Sequence, residues 1–249
     1  MKNQQIKIMS HLVAGYPSLA ESEKIALAMA GAGVSYIEIQ IPFSDPVADG
    51  PTIAAANRHA LDRGTSVTDC FELMTRLKEQ VSIPLLFMSY YNILFRHGVD
   101  AFCARAAAAG CWGLIVPDIP FDEEPGNGYL AACAKWGLNP ILVISPITPP
   151  DRLRAIGEMA KGFVYCVSGF GITGQERNVS DETRDYLARA RQYISRPLAL
   201  GFGISSRDQI VAAAELADIV VIGSKIINLY NQGSETEGLK KIIDFLQIS

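Results

Sequence analysis

A (β/α)8 TIM barrel, class α/β, folded as a single domain over residues 1–249, is the architecture this sequence predicts, and three observations predict it. Short apolar runs of strand length recur at fairly even intervals, eight in all. Each is followed by a longer polar, amphipathic stretch. The chain has 249 residues and a mass of 27.0 kDa, a length that such barrels commonly use as one domain. Strand–helix units joined by right-handed crossovers close a parallel sheet into a cylinder. The alternative is an open doubly wound sheet, but no Gly-x-Gly-x-x-Gly follows the first strand.

The first strand is expected at Ile8 to Val13. The helix after it opens at Ser18-Leu19-Ala20-Glu21, where a capping serine precedes an acid by three residues. Ile25, Ala28, Met29 and Ala32 fall on one face of that helix, and Gly31 and Gly33 mark its end. In the second strand, Tyr36 to Ile41, residues Ile37, Ile39 and Ile41 alternate with Tyr36, Glu38 and Gln40. The isoleucines take the core side, so Glu38 faces the other way. Pro42, Pro46 and Pro51 then remove backbone donors and Asp49-Gly50 signals a turn, which makes this stretch a loop carrying Asp45 and Asp49. The interval to the third strand, Pro84 to Ser89, is the longest in the chain. It leaves room for a short extra helix around Thr52 to Asp62 before the main one around Ser66 to Glu79, where barrel enzymes carry functional insertions. Further strands are expected at Gly113 to Val116, Pro140 to Ser145, Phe163 to Val167, Pro197 to Leu200 and Asp218 to Ile222. Among the helices between them, Thr148-Pro149-Pro150-Asp151 sets proline just inside a cap, and Ser205-Ser206-Arg207-Asp208 repeats the serine-plus-acid spacing.

Hydrophobic residues make up 49% and charged residues 19%, enough to bury a sizeable core and too little charge for a disordered chain. The net charge is −4 and Lys and Arg form no basic stripe, which argues against a nucleic-acid surface. Five cysteines show no metal-ligand spacing, and their odd number suits inert core thiols in a reduced compartment. The start of the chain lacks the apolar run of a signal peptide, and no later run approaches the roughly 18 residues of a membrane span. A cytoplasmic protein without a metal site or a membrane partner is expected.

Glu38 sits three residues before the end of its strand, at the mouth of the cylinder. Partial desolvation there raises a carboxylate's pKa and suits it to shuttle a proton. Asp49, on the next loop, reaches the same cavity as a fixed charge or hydrogen-bond acceptor. Glu38 could instead be a structural carboxylate paired with a buried base, but no Lys or Arg falls on a predicted strand interior. Asp45 reads as a turn-stabilising side chain, and Asp49 reads equally well as either. At the other end, Gly201-Phe202-Gly203-Ile204-Ser205 and Gly223-Ser224 follow strands seven and eight, where barrels of this kind bind phosphate through backbone N–H groups. Either set alone would be a chain turn; together they point to an anion. Ser168 to Arg177 has three glycines in six positions and reads equally as a mobile lid or as a surface loop, with Gly174 a further donor to phosphate.

Residues Ile41 to Thr52, with Glu38 just before them, resemble the signature of the tryptophan synthase alpha chain family. The likeness runs from Gly15-Tyr16-Pro17 through Val116-Pro117-Asp118-Ile119-Pro120 and Gly171-Ile172-Thr173-Gly174 to Gly201–Ser205 and Gly223-Ser224, nearly the whole chain. The resemblance implies an aldolase-type lyase that cleaves indole-3-glycerol phosphate to indole and glyceraldehyde 3-phosphate in tryptophan biosynthesis, with no cofactor on this chain. It makes Glu38 the general acid/base and Asp49 the acceptor of the indole N–H. It implies that Tyr165 lines the pocket, that Gly174, Gly203, Gly223 and Ser224 cradle the phosphate, and that Thr173 and Phe202 bind substrate beside them. It also implies a partner, a pyridoxal-phosphate beta chain that receives indole through a tunnel within an alpha2beta2 heterotetramer under allosteric control. Three positions depart from the pattern: Gln40 where glycine is usual, Gly169 where the lid usually has arginine, and His11 where the first strand usually has an aromatic residue. Gln40 is expected to narrow the cavity or hydrogen-bond Glu38, and His11 to be a satisfied strand-end histidine rather than a second base. Two other readings stand beside this one: a non-catalytic alpha-type subunit that activates a beta chain, and another phosphate-binding barrel such as a ribulose-phosphate isomerase or epimerase.

Overall fold

The computed structural model describes residues 6–119, 127–167, 181–201 and 203–248. Their strands are β1 (Lys7–Val13), β2 (Tyr36–Gln40), β3 (Leu85–Met88), β4 (Gly113–Ile115), β5 (Asn139–Ile141), β6 (Val143–Ile144), β7 (Val164–Val167), β8 (Leu198–Gly201) and β9 (Ile219–Ile222). They form one sheet in the order β5-β4-β3-β2-β1-β9-β8-β7-β6, parallel at each recorded pairing, and this is a nearly closed barrel. Each expected strand is present to within a residue or two. The count is nine rather than eight because the run Pro140 to Ser145 is split at Leu142. Its first piece pairs with β4 and its second with β7, and the Leu142 carbonyl still accepts from the Tyr165 N–H at 2.9 Å.

Around the sheet lie α1 (Leu19–Gly31), α2 (Pro51–Asp62), α3 (Val67–Gln80), α4 (Tyr91–His97), α5 (Val99–Ala108), α6 (Tyr129–Trp136), α7 (Pro150–Met159), α8 (Asp181–Arg191), α9 (Arg207–Ala214), α10 (Ser224–Tyr230) and α11 (Glu235–Leu246). The extra helix foreseen between the second and third strands is α2. Ser18 caps α1 as its spacing predicts, accepting from the Glu21 N–H at 3.2 Å. The buried face of α1 is Ser22, Ile25, Ala26 and Met29, so it is turned from the expected one; Ala28 and Ala32 are only half-buried. In α9 the cap is Ser206 with Gln209 completing a capping box, one residue later than the serine-plus-acid spacing suggests. Glutamine reaches back to the cap backbone as well as an acid does. At α7 the cap is Pro149, without a side-chain bond, and Thr148 instead accepts from the Ser145 N–H at 2.9 Å.

Two apolar layers follow from strand alternation. Ile37, Ile39 and Ile41 pack with Ile8, Leu12, Ile25, Met29, Phe71 and Met74 between sheet and helices. Met9, Leu86, Met88, Ile115, Ile141, Ile219 and Val221 fill the barrel interior. Its floor is aromatic: Trp112 stacks on Phe163 at 6.0 Å and Tyr36 meets Phe163 edge-on at 5.4 Å, each at or just before the start of its strand. The bottom of the cylinder is plugged, so polar chemistry is confined to the C-terminal ends of the strands. All five cysteines are buried and free, and burial pushes the thiols of Cys111 and Cys166 up to about 12. Among the described residues, no helix is long and apolar enough to cross a membrane.

Candidate active site

Parallel pairing of β1 and β2 sets His11 opposite Glu38. Glu38 lies on the face opposite the isoleucines and is 4% exposed. The expectation that no buried base faces it is corrected here. Among the described residues no buried Lys or Arg does, but the His11 Nδ1 lies 3.2 Å from the Glu38 Oε1, with both side chains 5% exposed. Nor is His11 a satisfied strand-end histidine. Its Nε2, like the Glu38 Oε2 and the Gln40 Oε1, is buried without a hydrogen-bond partner among the described residues. Burial alone would lower the His11 pKa, but the Glu38 carboxylate, through its charge and a hydrogen bond, and then the charge of Asp49, leave it raised above 6.5.

Asp49 is held in place by its neighbours. Its Oδ2 accepts from the Gln40 Nε2 at 2.6 Å and from the Tyr90 hydroxyl at 3.0 Å, and that hydroxyl accepts from the Ala48 N–H at 3.0 Å. Phe43 stacks on the Tyr90 ring at 5.1 Å. Asn57, fully buried on α2, accepts from the Phe43 N–H at 2.9 Å and from the Gln40 Nε2 at 3.3 Å. Gln40 therefore bonds to Asp49 and Asn57, and the expected bond to Glu38 is not made. Burial raises the Asp49 pKa, as does the charge of Glu38; hydrogen bonds from Gln40 and Tyr90 and the charge of His11 pull the other way without cancelling it. Asp45 is exposed and accepts from the Ser44 hydroxyl at 2.6 Å.

Tyr90 and Asn57 are the residues that sequence reasoning missed. Asn57 left a trace, being a polar residue on the same helix face as Ile53, Ala56 and Ala60, all buried. Tyr90 left none, because its role depends on where the acidic loop folds back.

Tyr165, on β7, packs against the interior layer, and burial, then the charges of Glu38 and Asp49, hold its hydroxyl well above the usual range. Its ring occupies space that a side chain at 201 would need: a Cβ there would lie 2.8 Å from the Tyr165 hydroxyl oxygen. Gly201→Ala is expected to lower stability by about 1–3 kcal/mol. Urea unfolding measures it, and an unchanged midpoint would mean the ring has room to move. Gly203 (φ +33°) follows β8, and Gly223 and Ser224 follow β9. A Cβ on Gly223 would stand 3.9 Å from the His11 Cβ and 3.5 Å from the Ile53 Cδ1, so the glycine end and the acidic end meet across β1. Thr173, Gly174 and Phe202, like Gly169 and the rest of the expected lid, lie outside the described residues. No group of three or more His, Cys, Asp or Glu suited to a metal ion occurs among the described residues.

A sequence model of the family described as tryptophan synthase alpha chain matches residues 1–247. The chain belongs to the tryptophan synthase alpha chain family. It is 42% identical over 233 residues to the tryptophan synthase alpha chain of Syntrophotalea carbinolica, covering 94% of this chain and 91% of that one. With that of Desulforapulum autotrophicum the identity is 43% over 238 residues, covering 95% and 93%. Among solved structures, Mycobacterium tuberculosis tryptophan synthase superposes with a TM-score of 0.88 at 34% identity, covering 97% of this chain and 90% of that one. The tryptophan synthase A-subunit of the hyperthermophile Pyrococcus furiosus gives 0.87 at 31% identity, covering 97% and 96%. The tryptophan synthase alpha chain is a subunit of a complex and a lyase that cleaves indole-3-glycerol phosphate in tryptophan biosynthesis. That assignment displaces the isomerase or epimerase reading, which left the acidic loop unexplained.

Proposed function

We propose that Glu38 is the general acid/base of this retro-aldol cleavage and that Asp49 is its electrostatic partner. Breaking the bond between the indole ring and the glycerol chain needs a proton delivered to indole C3 and a proton removed from the hydroxyl on the adjoining carbon, which becomes the aldehyde of glyceraldehyde 3-phosphate. A single carboxyl group can do both in turn, giving its proton to carbon and taking the hydroxyl proton as the bond breaks. Protonation leaves the ring positively charged, and Asp49 accepts the indole N–H and stabilises that charge. Tyr165 lines the indole pocket. Gly203, Gly223 and Ser224, with Gly174 and the neighbouring Thr173 and Phe202, hold the phosphate.

The observation that carries this reading is the position of Glu38, buried on the inner face at the open end of the barrel, beside the anchored Asp49. The nearness of Gly223 to His11 supports a phosphate held one strand away from the acid. No cofactor acts on this chain in the proposal. The partner is a pyridoxal-phosphate beta chain in a cytoplasmic alpha2beta2 complex, to which the indole is channelled.

Indole formed from indole-3-glycerol phosphate, measured with and without a beta chain, tests the reading. Release by the chain alone and faster release in the complex are expected. No indole in either arm, with a beta reaction that is still accelerated, would instead favour the non-catalytic activator.

A further inference from the structure

The contact between His11 and Glu38 has no part in the reaction as laid out above, yet it brings two buried polar side chains within 3.2 Å. We propose that His11 is a positioning residue for Glu38, which orients the carboxylate through Nδ1–H and stores the proton that Glu38 hands to indole C3. This rests on Glu38 being the acid/base.

The geometry supplies three reasons. The 3.2 Å contact joins two side chains that water scarcely reaches, so the proton between them is shared within the pair rather than exchanged with solvent. Among the described residues the titratable groups facing it are Glu38 on β2, Asp49 on the following loop and Tyr165 on β7, and no Lys or Arg is among the buried ones. Two carboxylates beside one imidazole favour one positive charge there. Lastly, the Glu38 Oε2 and the His11 Nε2 have no partner among the described residues, which leaves the pair able to accept and donate.

The proton count closes without any outside reactant. The Nδ1–H bond of His11 breaks as an O–H bond forms on Glu38, and that O–H breaks as the C3–H bond of the ring forms. The carboxylate then takes the hydroxyl proton as the C–C bond breaks, and returning it to Nδ1 restores the starting pair. Because burial is outweighed by the Glu38 and Asp49 carboxylates, the imidazole pKa is raised above 6.5, and the pair holds its proton to higher pH than a free imidazole would and empties as pH rises further. The alkaline limb of kcat belongs to His11.

His11→Asn keeps a side-chain N–H donor but cannot titrate. Assayed in the complex, it is expected to hold KM within a few-fold, to lose about tenfold or more in kcat at pH 8, and to move the alkaline limb down by about one unit or more. His11→Phe, which also removes the donor, should lose more. Wild-type kcat with an unmoved limb in His11→Asn overturns the proposal. Should that variant not fold, imidazole NMR of the unmodified chain decides, since His59 and His97 are exposed and His11 is not. His11 should be mostly protonated at pH 6.5 and lose that proton in Glu38→Gln; a neutral His11 at pH 6.5 in the unmodified chain overturns the proposal. An active Glu38→Gln would remove the parent reading and this one together. An inactive Glu38→Gln beside an unaffected His11→Asn would remove this one alone.

Discussion

Glu38→Gln is expected to lower indole release by about 10²–10⁴-fold, the range that a positioned proton donor contributes. The substitution keeps the volume of a side chain that is 4% exposed, so packing is preserved while the transferable proton is lost. Affinity for the phosphate should stay within a few-fold of the original, because Gly203, Gly223 and Ser224 are untouched. A steady-state assay separates the two effects: kcat falls and KM does not. The variant also changes how stability depends on pH. The folded pKa of His11 is raised above 6.5, so the stability it contributes is complete below that pH and lost as pH rises through the folded value. Removing the Glu38 charge leaves burial as the larger influence on the imidazole, so the slope of Tm against pH above 6.5 should flatten. Wild-type turnover in this variant would reassign the acid.

Asp49→Asn should lower kcat by about 10²–10³-fold, as expected when a fixed charge is removed from a developing one. Its stability should move the other way. The Asp49 pKa is raised above 3.8, chiefly by burial, so its ionised form is held less well in the folded chain than in the unfolded one, and above that pH its charge opposes folding. The asparagine carbonyl can still accept from Gln40 and Tyr90, and the charge is gone. A Tm at pH 7 equal to or above the original, in a nearly inactive protein, is the expected pairing, the trade between stability and activity that functional sites show. A full rate would demote Asp49 to a loop anchor, and a collapsed Tm would show that its charge stabilises the loop.

Much of this arrangement was legible because it depends on local periodicity. The alternation of Ile37, Ile39 and Ile41 with Glu38 sets which side chain enters the barrel, and the proline-rich stretch after it could only be a loop. The His11–Glu38 contact was not legible, because it depends on the register between β1 and β2, which neither strand encodes alone. The bond from Gln40 to Asp49 was hidden for a related reason: a long amide can bond to either acid, and the buried Asn57 on α2 helps set which way it turns. The cap of α9 moved because the Gln209 side chain, not the acid at 208, accepts from the backbone N–H of the cap residue Ser206 at 3.3 Å. The break at Leu142 interrupts a run, Pro140 to Ser145, whose Ile141, Leu142, Val143 and Ile144 all suit a buried strand.

The divided strand limits how this subunit can be held by others. Its two pieces are the first and last members of the sheet order, and they are joined through a single residue whose carbonyl is itself bonded. Among the described residues the ladder therefore runs nearly all the way around the cylinder, and the short seam at residues 139–144 leaves little edge where a foreign chain could add itself as another ribbon. Such a sheet favours association made side chain by side chain, on helix faces and loop tips, with specificity carried by the outer shell instead of the sheet.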